Sequence, residues 1–533
     1  MSSDESDRNQ EPCQTGADPD QEEMIVVPAV TLGTVTHTTD LSDDGKFRNG
    51  RLKGLTLNQA IWILAWPVVT ESFLNSFVGL VDTALSAGLP GPQGEAATDA
   101  IGGASYIMWL IGLVIMALGV GATALISRSV GKGRLGVANG VLGQTMTLTV
   151  ISGVIVGILI WLAVPLITTA LNMSPLAAEF FSDYMSIIAL GVPAASVLFG
   201  MIACSRGAGD SISPLKAMIA RNIVNILVSW GLSGVAIHGM TSPLGINLGI
   251  TGIAIGTVAG DIVGAWYITH MARSGRWSIK LKLIRMKPHF VTIWRLFRLG
   301  IPNFLETFGL WIGNFFIILF VGFLTVQLDQ QGLLGAHIIG IRIEAFSFMP
   351  GFGMGIAAAT LAGQYLGMNR PDLAKRAVFR CTMIATIIMG AIGVAFITIP
   401  HQITGLLTQQ PTHLEIVPTL LIICGIVQIP FAISIVFRSA MRGAGDVKVV
   451  MALTWTATYV LRLPIAYLIS GVDIPLPQFM GGGIIENPKL LESMFGIQAG
   501  LTALWIGLCS EMAIRGLMFA ARFFQGGWLK AKV

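Results

Sequence analysis

The stretches ACSRGAGDS (residues 203–211) and AMRGAGDVK (residues 440–448) share the five letters RGAGD. The two copies begin at Arg206 and Arg442, so the offset between them is 442 − 206 = 236, close to half of the 533-residue chain. A repeat at this spacing indicates that the protein arose by duplication of a half-length unit.

The composition indicates what kind of protein was duplicated. Hydrophobic residues make up 53% of the chain, charged residues make up 12%, and the mean hydropathy is +0.73. Soluble domains carry about 25% charged residues, so this chain lacks the polar surface of a water-soluble protein. We therefore expect a polytopic membrane protein.

Apolar stretches that could cross a membrane recur along the chain. A helix needs about 20 apolar residues to cross the hydrocarbon core of a bilayer. Twelve stretches qualify: 57–85, 101–127, 137–165, 183–205, 214–237, 249–272, 292–321, 334–361, 376–400, 415–440, 447–470 and 497–523. Each half of the duplicated chain contains six of them.

Further residues repeat at nearly the same spacing. Pro67 and Glu71 in PVVTESF correspond to Pro302 and Glu306 in PNFLETF, since 302 − 67 and 306 − 71 both equal 235. Because each half has an even number of spans, the second half starts in the same orientation as the first. We predict an all-α polytopic membrane protein with 12 transmembrane helices in two pseudosymmetric six-helix bundles.

The predicted domain boundaries follow from these repeats and from charge. Residues 1–50 are polar and acidic, which predicts disorder, whereas residues 273–287 are densely basic. The predicted segments are a disordered cytoplasmic tail (1–54), an N-lobe (55–272), a basic cytoplasmic linker (273–291), a C-lobe (292–525) and a cytoplasmic C-terminal tail (526–533).

Basic residues are concentrated on one side of the predicted bundle. The dense basic run and both RGAGD turns lie on that side, whereas the six loops of the other side contain a single basic residue, Lys489. Because basic loops remain in the cytoplasm, both termini are expected there. The protein is expected in an inner or plasma membrane, in contact with its lipids.

Both RGAGD copies are predicted to form tight turns between two helices. Glycine can adopt the left-handed conformation that ends a helix, aspartate can cap the next helix, and arginine suits the end of the preceding helix dipole. The residues are Arg206, Gly207, Gly209 and Asp210 in the first copy, and Arg442, Gly443, Gly445 and Asp446 in the second. The alternative is a latch of a cytoplasmic gate.

Several stretches together resemble a known family. They are PVVTESF (67–73), LVDTALSAGLPG (80–91), RNIVNIL (221–227), LAGQYLGMNRPDLA (361–374), both RGAGD turns and the closing GGW (526–528). In this order, the set resembles the multidrug and toxic compound extrusion (MATE) transporters. The resemblance implies a cation-coupled antiporter that exports cationic or amphipathic compounds in exchange for Na⁺ or H⁺, with no other cofactor.

The resemblance also implies a coupling site in the N-lobe. Asp82 stands where the family has its N-lobe cation-binding aspartate, and Asn225 matches the asparagine of the fifth span, so both are candidate Na⁺ ligands. Some family members carry an acid where this chain has Ser229, which argues against a site with two carboxylates. The alternative for Asp82 is a structural role, as a partner of Arg221 or as a helix cap.

Four other acids within the spans are candidates for a substrate cavity, because ionisable groups inside a membrane are costly. Glu71 and Glu306 follow a proline and are expected to face the space between the lobes, where they would attract cationic substrates. Asp261 and Glu511 lie on roughly corresponding turns of spans 6 and 12.

Structural ion pairs are the alternative explanation for two of these acids. Glu306 could pair with Arg462 or Arg342. Glu511 lies four residues before Arg515 on one helix face, which favours a local salt bridge.

Other functions remain as alternatives. A flippase for lipid-linked sugars of the same superfamily is the first alternative, and a channel ranks below it. The chain contains no HExxH motif, phosphate-binding loop or GxSxG motif, so no enzyme activity is predicted. We expect a monomer that binds small molecules and no nucleic acid.

Overall fold

The computed structural model describes residues 51–170, 173–236, 242, 244–475, 482–489, 496 and 500–531. Six long helices cover the first half of the chain. They are α1 (Leu57–Ala87), α2 (Pro92–Gly131), α3 (Leu135–Ala170), α4 (Pro175–Gly207), α5 (Ile212–Ser233) and α6 (Gly249–Ser274).

The second half contains more helical segments because some of its helices are broken. They are α7 (Phe290–Gln327), α8 (Leu333–Gly367), α9 (Pro371–Thr398), α10 (Pro400–Gly405), α11 (Pro411–Ile426), α12 (Gln428–Ala444), α13 (Val447–Trp455), α14 (Leu463–Ser470) and α15 (Leu501–Gln525). A π-helical segment (Thr456–Arg462) joins α13 to α14, and two 3₁₀ helices cover Leu283–Met286 and Gly527–Lys530. A short hairpin pairs β1 (Ile474–Pro475) with β2 (Ile484–Ile485) in antiparallel fashion.

The predicted apolar intervals coincide with these helices. Each of the twelve intervals falls on one helix or on a broken series of helices, although residue 237 and residues 497–499 lie outside the described part of the chain. Nine helices of the described residues are long and apolar enough to cross a membrane, counting α13 to α14 as one, and the bent pair α11–α12 is a tenth. Helices α1 and α5 are not among them, so the count of twelve spans stays a prediction.

The outer surface of the bundle is apolar. On α3, the side chains of Ile155, Leu159 and Leu162 are each more than half exposed. Soluble monomers rarely expose apolar surface of this extent, and the molecule is therefore a multi-pass membrane protein.

The two halves of the chain meet along α1 and α2 from the first half and α7 and α8 from the second. Where the end of α2 crosses the end of α8, each helix places a glycine. A Cβ atom on Gly131 would overlap the backbone of Gln364, and a Cβ atom on Gly367 would overlap the backbone of Arg128. Since 367 − 131 and 364 − 128 both equal 236, this contact is symmetric with respect to the repeat.

Parts of both predicted tails pack against the helices. In the stretch before α1, Leu52 is buried and Arg51 Nε lies 3.7 Å from Asp210 Oδ1, whereas residues 1–50 lie outside the described part of the chain. After α15, Trp528 is fully buried and Ala531 accepts a hydrogen bond from Arg128 of α2 (Nη1–O, 2.8 Å).

The predicted basic linker is also held in place. The side-chain amide of Gln144 on α3 donates to the backbone oxygens of Arg285 and Lys287, both at 2.7 Å. The linker thus packs against the end of α3 and leads directly into α7.

Candidate functional site

A buried polar cluster lies between α1, α5 and α6. Asp82 on α1 accepts a hydrogen bond from the Thr257 hydroxyl of α6 (Oγ1–Oδ2, 3.1 Å) and one from the Asn225 amide of α5 (Nδ2–Oδ1, 3.5 Å). Asn225 Nδ2 also lies 3.0 Å from Thr257 Oγ1. The exposed fractions of these three residues are 5%, 2% and 1% for Asp82, Thr257 and Asn225. They are called the Asp82 cluster below.

Glycines on α6 allow the cluster to form. Gly252, Gly256 and Gly260 recur at every fourth position and face α5, and Gly264, one turn further, lies between α4 and α5. A Cβ atom on Gly256 would overlap Ser229, and one on Gly260 would overlap the backbone oxygen of Arg221. Small residues at this spacing let two helices in a membrane approach closely. The close approach brings Thr257 of α6 within hydrogen-bonding distance of Asn225 of α5.

A second polar layer lies one helical turn from the first. Arg221 precedes Asn225 by four residues on α5, and Asp261 follows Thr257 by four residues on α6. The Arg221 guanidinium forms a buried ion pair with the Asp261 carboxylate. Its Nη1 atom also donates to Asn75 of α1 (Oδ1, 3.4 Å), so this layer, like the first, connects α1, α5 and α6.

The contacts of Asp82 differ in part from those expected. The predicted proximity of Asn225 is present, whereas the alternative partner, Arg221, forms its ion pair with Asp261 instead. Asp82 lies inside α1 and not at a helix end. Thr257 was not among the residues predicted for this cluster. Its position four residues before Asp261 on the same helix places both side chains on one face of α6 and could have indicated it.

Glu71 and Glu306 make equivalent ion pairs in the two halves. Glu71 on α1 accepts from Arg206 (Nη2–Oε2, 2.6 Å), and Glu306 on α7 accepts from Arg442 at 2.6 and 3.0 Å. Both arginines come from the RGAGD turns, so the repeated motif binds the repeated acid. The proposed attraction of cationic substrates by these acids stays a prediction, and it must act against the neighbouring positive charge.

Glu306 has more partners than Glu71. Arg438 Nη1 lies 3.9 Å from the Glu306 carboxylate, and Thr454 Oγ1 donates to it at 2.9 Å. The partners suggested from the sequence, Arg462 and Arg342, were wrong. Arg442 and Arg438 lie on α12, far from Glu306 along the chain. They come close to it because α13, which follows α12 directly, packs against α7.

The remaining two acidic candidates also form ion pairs. Glu511 and Arg515 on α15 form the predicted local salt bridge (Oε1–Nε, 2.7 Å), and Asp261 pairs with Arg221 as described. Contact of either acid with a substrate stays a prediction.

The RGAGD turns have nearly identical backbones. Gly209 and Gly445 adopt left-handed conformations, with φ of +91° and +92°, as predicted. Gly207 and Gly443 do not, and both are required for another reason. A Cβ atom on Gly443 would overlap the backbone of Ala359, and one on Gly207 would lie 3.0 Å from the backbone oxygen of Thr123.

The two aspartates of these turns have different roles. Asp210 Oδ1 accepts from the amides of Ile212 and Ser213 (3.0 and 3.3 Å), which is the predicted helix cap. Asp446 makes no such bond to the described residues that follow it, and the prediction of a cap there was wrong. Its carboxylate accepts from Arg522 of α15 at 2.8 and 3.2 Å, because the end of α15 lies beside the second turn.

The Asp82 cluster has the chemistry of a small cation site. It offers two carboxylate oxygens, the Thr257 hydroxyl and the Asn225 amide oxygen, which is buried and has no hydrogen-bond partner among the described residues. The Ser229 hydroxyl lies next to the cluster, 3.5 Å from Asn225 Nδ2. Hard cations prefer oxygen ligands of this kind, and a buried carboxylate can instead take up a proton. No group of three or more His, Cys, Asp or Glu residues suited to a metal ion occurs in the described part of the chain.

The cluster is confined to the first half of the chain. The offset that relates Glu71 to Glu306 leads from Asp82 to position 317, since 317 − 82 = 235, and Ile317 is a buried isoleucine. The duplicated halves therefore share their ion pairs at the turns but not this carboxylate.

Comparison with known proteins identifies the family. A family model described as MatE matches the chain twice, over residues 67–230 and 302–468, which together make up more than half of its length. The starts of the two matches differ by 302 − 67 = 235, the spacing of the repeat seen in the sequence.

Curated relatives match over most of their length. The chain is 25% identical over 471 residues to "Probable multidrug resistance protein NorM" of Thermotoga maritima, covering 88% of this chain and 93% of that protein. It is 24% identical over 424 residues to "Multidrug resistance protein MdtK" of Yersinia enterocolitica, covering 79% of this chain and 89% of that protein.

Solved structures share the fold. A structure described as "Outward-facing conformation of a multidrug resistance MATE family transporter of the MOP superfamily" superimposes with a TM-score of 0.75 at 18% identity, covering 89% of this chain and 97% of that chain. "Crystal structure of MATE in the bent conformation" gives a TM-score of 0.73 at 19% identity, covering 88% and 96%.

Proposed function

The chain belongs to the MatE family, and from this premise we propose that it is a cation-coupled antiporter that exports cationic or amphipathic drugs and toxic compounds by alternating access. The names of the NorM and MdtK relatives, both multidrug resistance proteins, support export of drugs. The coupling ion is Na⁺ or H⁺, and the ion gradient supplies the energy, with no cofactor. The protein acts as a monomer in the cell membrane with both termini in the cytoplasm.

The observation that carries this proposal is the environment of Asp82. Within the described residues, its carboxylate is buried between helices, makes hydrogen bonds to neutral groups and forms no ion pair. A charged carboxylate in such surroundings costs several kcal/mol unless a cation or proton compensates it. Asp82 is therefore a strong binding site for the coupling ion, with Asn225 and Thr257 as neutral ligands or hydrogen-bond donors.

Coupling follows if the ion and the substrate favour different states of the transporter. A ligand shifts a conformational equilibrium only by its difference in affinity for the two states. Filling the Asp82 cluster removes the negative charge that favours a cationic substrate in the first lobe, so ion binding promotes substrate release. Reopening to the other side then lets the ion leave.

The ion pairs at Glu71 and Glu306 have a different part in this proposal. Each pair links an RGAGD turn to the first helix of its lobe, which is α1 or α7. Because an arginine already compensates each acid, these pairs keep each lobe rigid while the lobes move relative to each other.

The test is dye transport by the purified full-length chain in proteoliposomes. A fluorescent cationic dye is loaded, and a Na⁺ or an H⁺ gradient is imposed separately. One of the two gradients is expected to drive the dye, and Asp82→Asn is expected to abolish this transport because it removes the charge and keeps the shape. Asp99→Asn is the matched control, since Asp99 is exposed on α2.

Two results would overturn the proposal. The first is dye movement that ignores both gradients. The second is full gradient-driven transport by Asp82→Asn. Movement of a lipid-linked oligosaccharide in place of the dye would support the flippase alternative.

A further inference from the structure

The Arg221 guanidinium lies between α6, which carries its partner Asp261, and α1, which carries the proposed coupling residue Asp82. It pairs with Asp261 of α6 and donates to Asn75 of α1. Asn75 and Asp82 are seven residues apart on α1, which is two turns, so they share one face of that helix. A positive side chain is thus already in contact with the face of α1 that presents Asp82.

Arg221 is close enough to reach Asp82. Asn225, one turn further along α5, contacts Asp82 through a short side chain. One turn of helix is about 5.4 Å, a distance that the long, flexible arginine side chain can cover. Arg221 and Asp261 form their ion pair one helical turn from Asn225 and Thr257, the two residues that contact Asp82.

The Arg221 guanidinium also borders a small cavity, and no described residue of α1 belongs to its lining. A cavity of about 80 Å³ is lined by Arg221 and Asp261 together with apolar side chains of α2, α4 and α6 that include Ile111, Val192 and Val258. Among the described residues that line this cavity, Asp261 is the one carboxylate. An Arg221 that lost Asp261 would find no other carboxylate in the described lining of this cavity, whereas Asp82 lies beside Asn225, one turn further along α5.

We propose that Asp261 is a positioning residue that holds Arg221 away from Asp82 and thereby keeps Asp82 free for the transported cation. Without Asp261, Arg221 would compete with the transported cation for Asp82. The ion pair with Asp261 prevents this and leaves the Asp82 carboxylate free to bind Na⁺ or H⁺. This inference rests on the proposed function of Asp82. It assigns Asp261 to the ion site rather than to the substrate.

The test compares three variants of the full-length protein in proteoliposomes. Asp261→Asn releases Arg221, and we expect the concentration of the driving ion at half-maximal dye efflux to rise by about tenfold or more, within the usual range of coupling between sites. The maximal rate at saturating ion should change much less. Asp261→Glu keeps the charge and should behave like the unaltered protein.

The decisive variant is the double replacement Arg221→Met/Asp261→Asn, which removes the competing positive charge of Arg221 together with its partner Asp261. It should return the half-maximal ion concentration to within about threefold of the original value, because no internal cation remains to fill the site. A purely structural role of the ion pair predicts a different result for Asp261→Asn, namely a lower unfolding temperature and a lower maximal rate without a change in the half-maximal ion concentration, because Arg221 is left buried without a partner.

The outcomes separate this inference from the proposed function. If the unaltered protein responds to a gradient and Asp82→Asn does not, the function stands. An unchanged ion dependence in Asp261→Asn, or a failure of the double variant to recover, then overturns the inference alone. If Asp261→Asn does not fold, as judged by its thermal unfolding in detergent, the double variant decides by itself. A half-maximal ion concentration of the double variant close to that of the unaltered protein supports the inference, and a tenfold higher one refutes it.

Discussion

Glu306 and Glu71 occupy equivalent positions but compensate different amounts of positive charge. Glu306 is fully buried and is the ion-pair partner of both Arg438 and Arg442 among the described residues. Glu71 is less completely buried, and among the described residues it pairs with one arginine, Arg206. The same acid therefore compensates more positive charge in the second half of the chain than in the first.

This difference predicts unequal effects of the same substitution. Glu306→Gln leaves two mostly buried arginines without a carboxylate, and breaking a buried ion pair in this way costs about 3–5 kcal/mol. Glu71→Gln should cost less, because it leaves one arginine without a carboxylate and not two. Thermal unfolding in detergent measures both, with Glu95→Gln on the exposed part of α2 as the control. Equal losses in the two variants would contradict the argument.

Single residues also show where sequence reasoning is limited. The salt bridge between Glu511 and Arg515 was predictable because residues four apart share a helix face. The pair of Glu306 with Arg442 was not, since 136 residues separate them and only the packing of α7, α12 and α13 defines the contact. The same is true of Thr257, which becomes part of the site because glycines draw α6 against α5.

The positions of the helices were predictable from the sequence, whereas the breaks within them were not. The apolar stretches predicted the approximate positions of the helices, because a helix needs about 20 apolar residues to cross a bilayer. The 58° bend between α11 and α12 lies at Val427, where Pro430 cannot donate a backbone hydrogen bond to the preceding turn. The π-helical segment Thr456–Arg462 precedes Pro464 and is fixed by side-chain contacts with α7, including Tyr459 to the Gly309 carbonyl (2.7 Å).

The crossing of α2 and α8 gives a prediction at the level of helix packing. Gly131→Ala places a methyl group against the Gln364 backbone, and overpacking of this kind typically costs about 1–3 kcal/mol. We expect a lower unfolding temperature and slower dye transport, because the lobes can no longer close at this end. Gly112→Ala is the matched control on the same helix, since a Cβ atom there meets nothing within 4 Å. Identical behaviour of the two variants would show that the close crossing is dispensable.

The two halves of the fold are symmetric, whereas the Asp82 cluster occurs in the first half only. The ion pairs of Glu71 and Glu306, the left-handed glycines and the reciprocal crossing of α2 and α8 all follow the repeat that relates the two halves of the sequence. The Asp82 cluster does not repeat, because Ile317 occupies the equivalent position. The repeated features hold the lobes in shape, and we infer that the single-copy feature performs the coupling.

This asymmetry predicts that a carboxylate moved to the second lobe will not restore coupling. Ile317 is 2% exposed and belongs to a buried apolar cluster that includes Val321 and Leu504. An aspartate there would lack the amide and hydroxyl groups that surround Asp82, so burying its charge would cost several kcal/mol. The double variant Asp82→Asn/Ile317→Asp should therefore remain unable to drive dye against either ion gradient, and Ile317→Asp alone should lower the unfolding temperature. Ile317→Val, which keeps the site apolar, should leave transport intact. Recovery of gradient-driven transport by the double variant would mean that either lobe can perform the coupling, and that the neutral partners of Asp82 are not required for it.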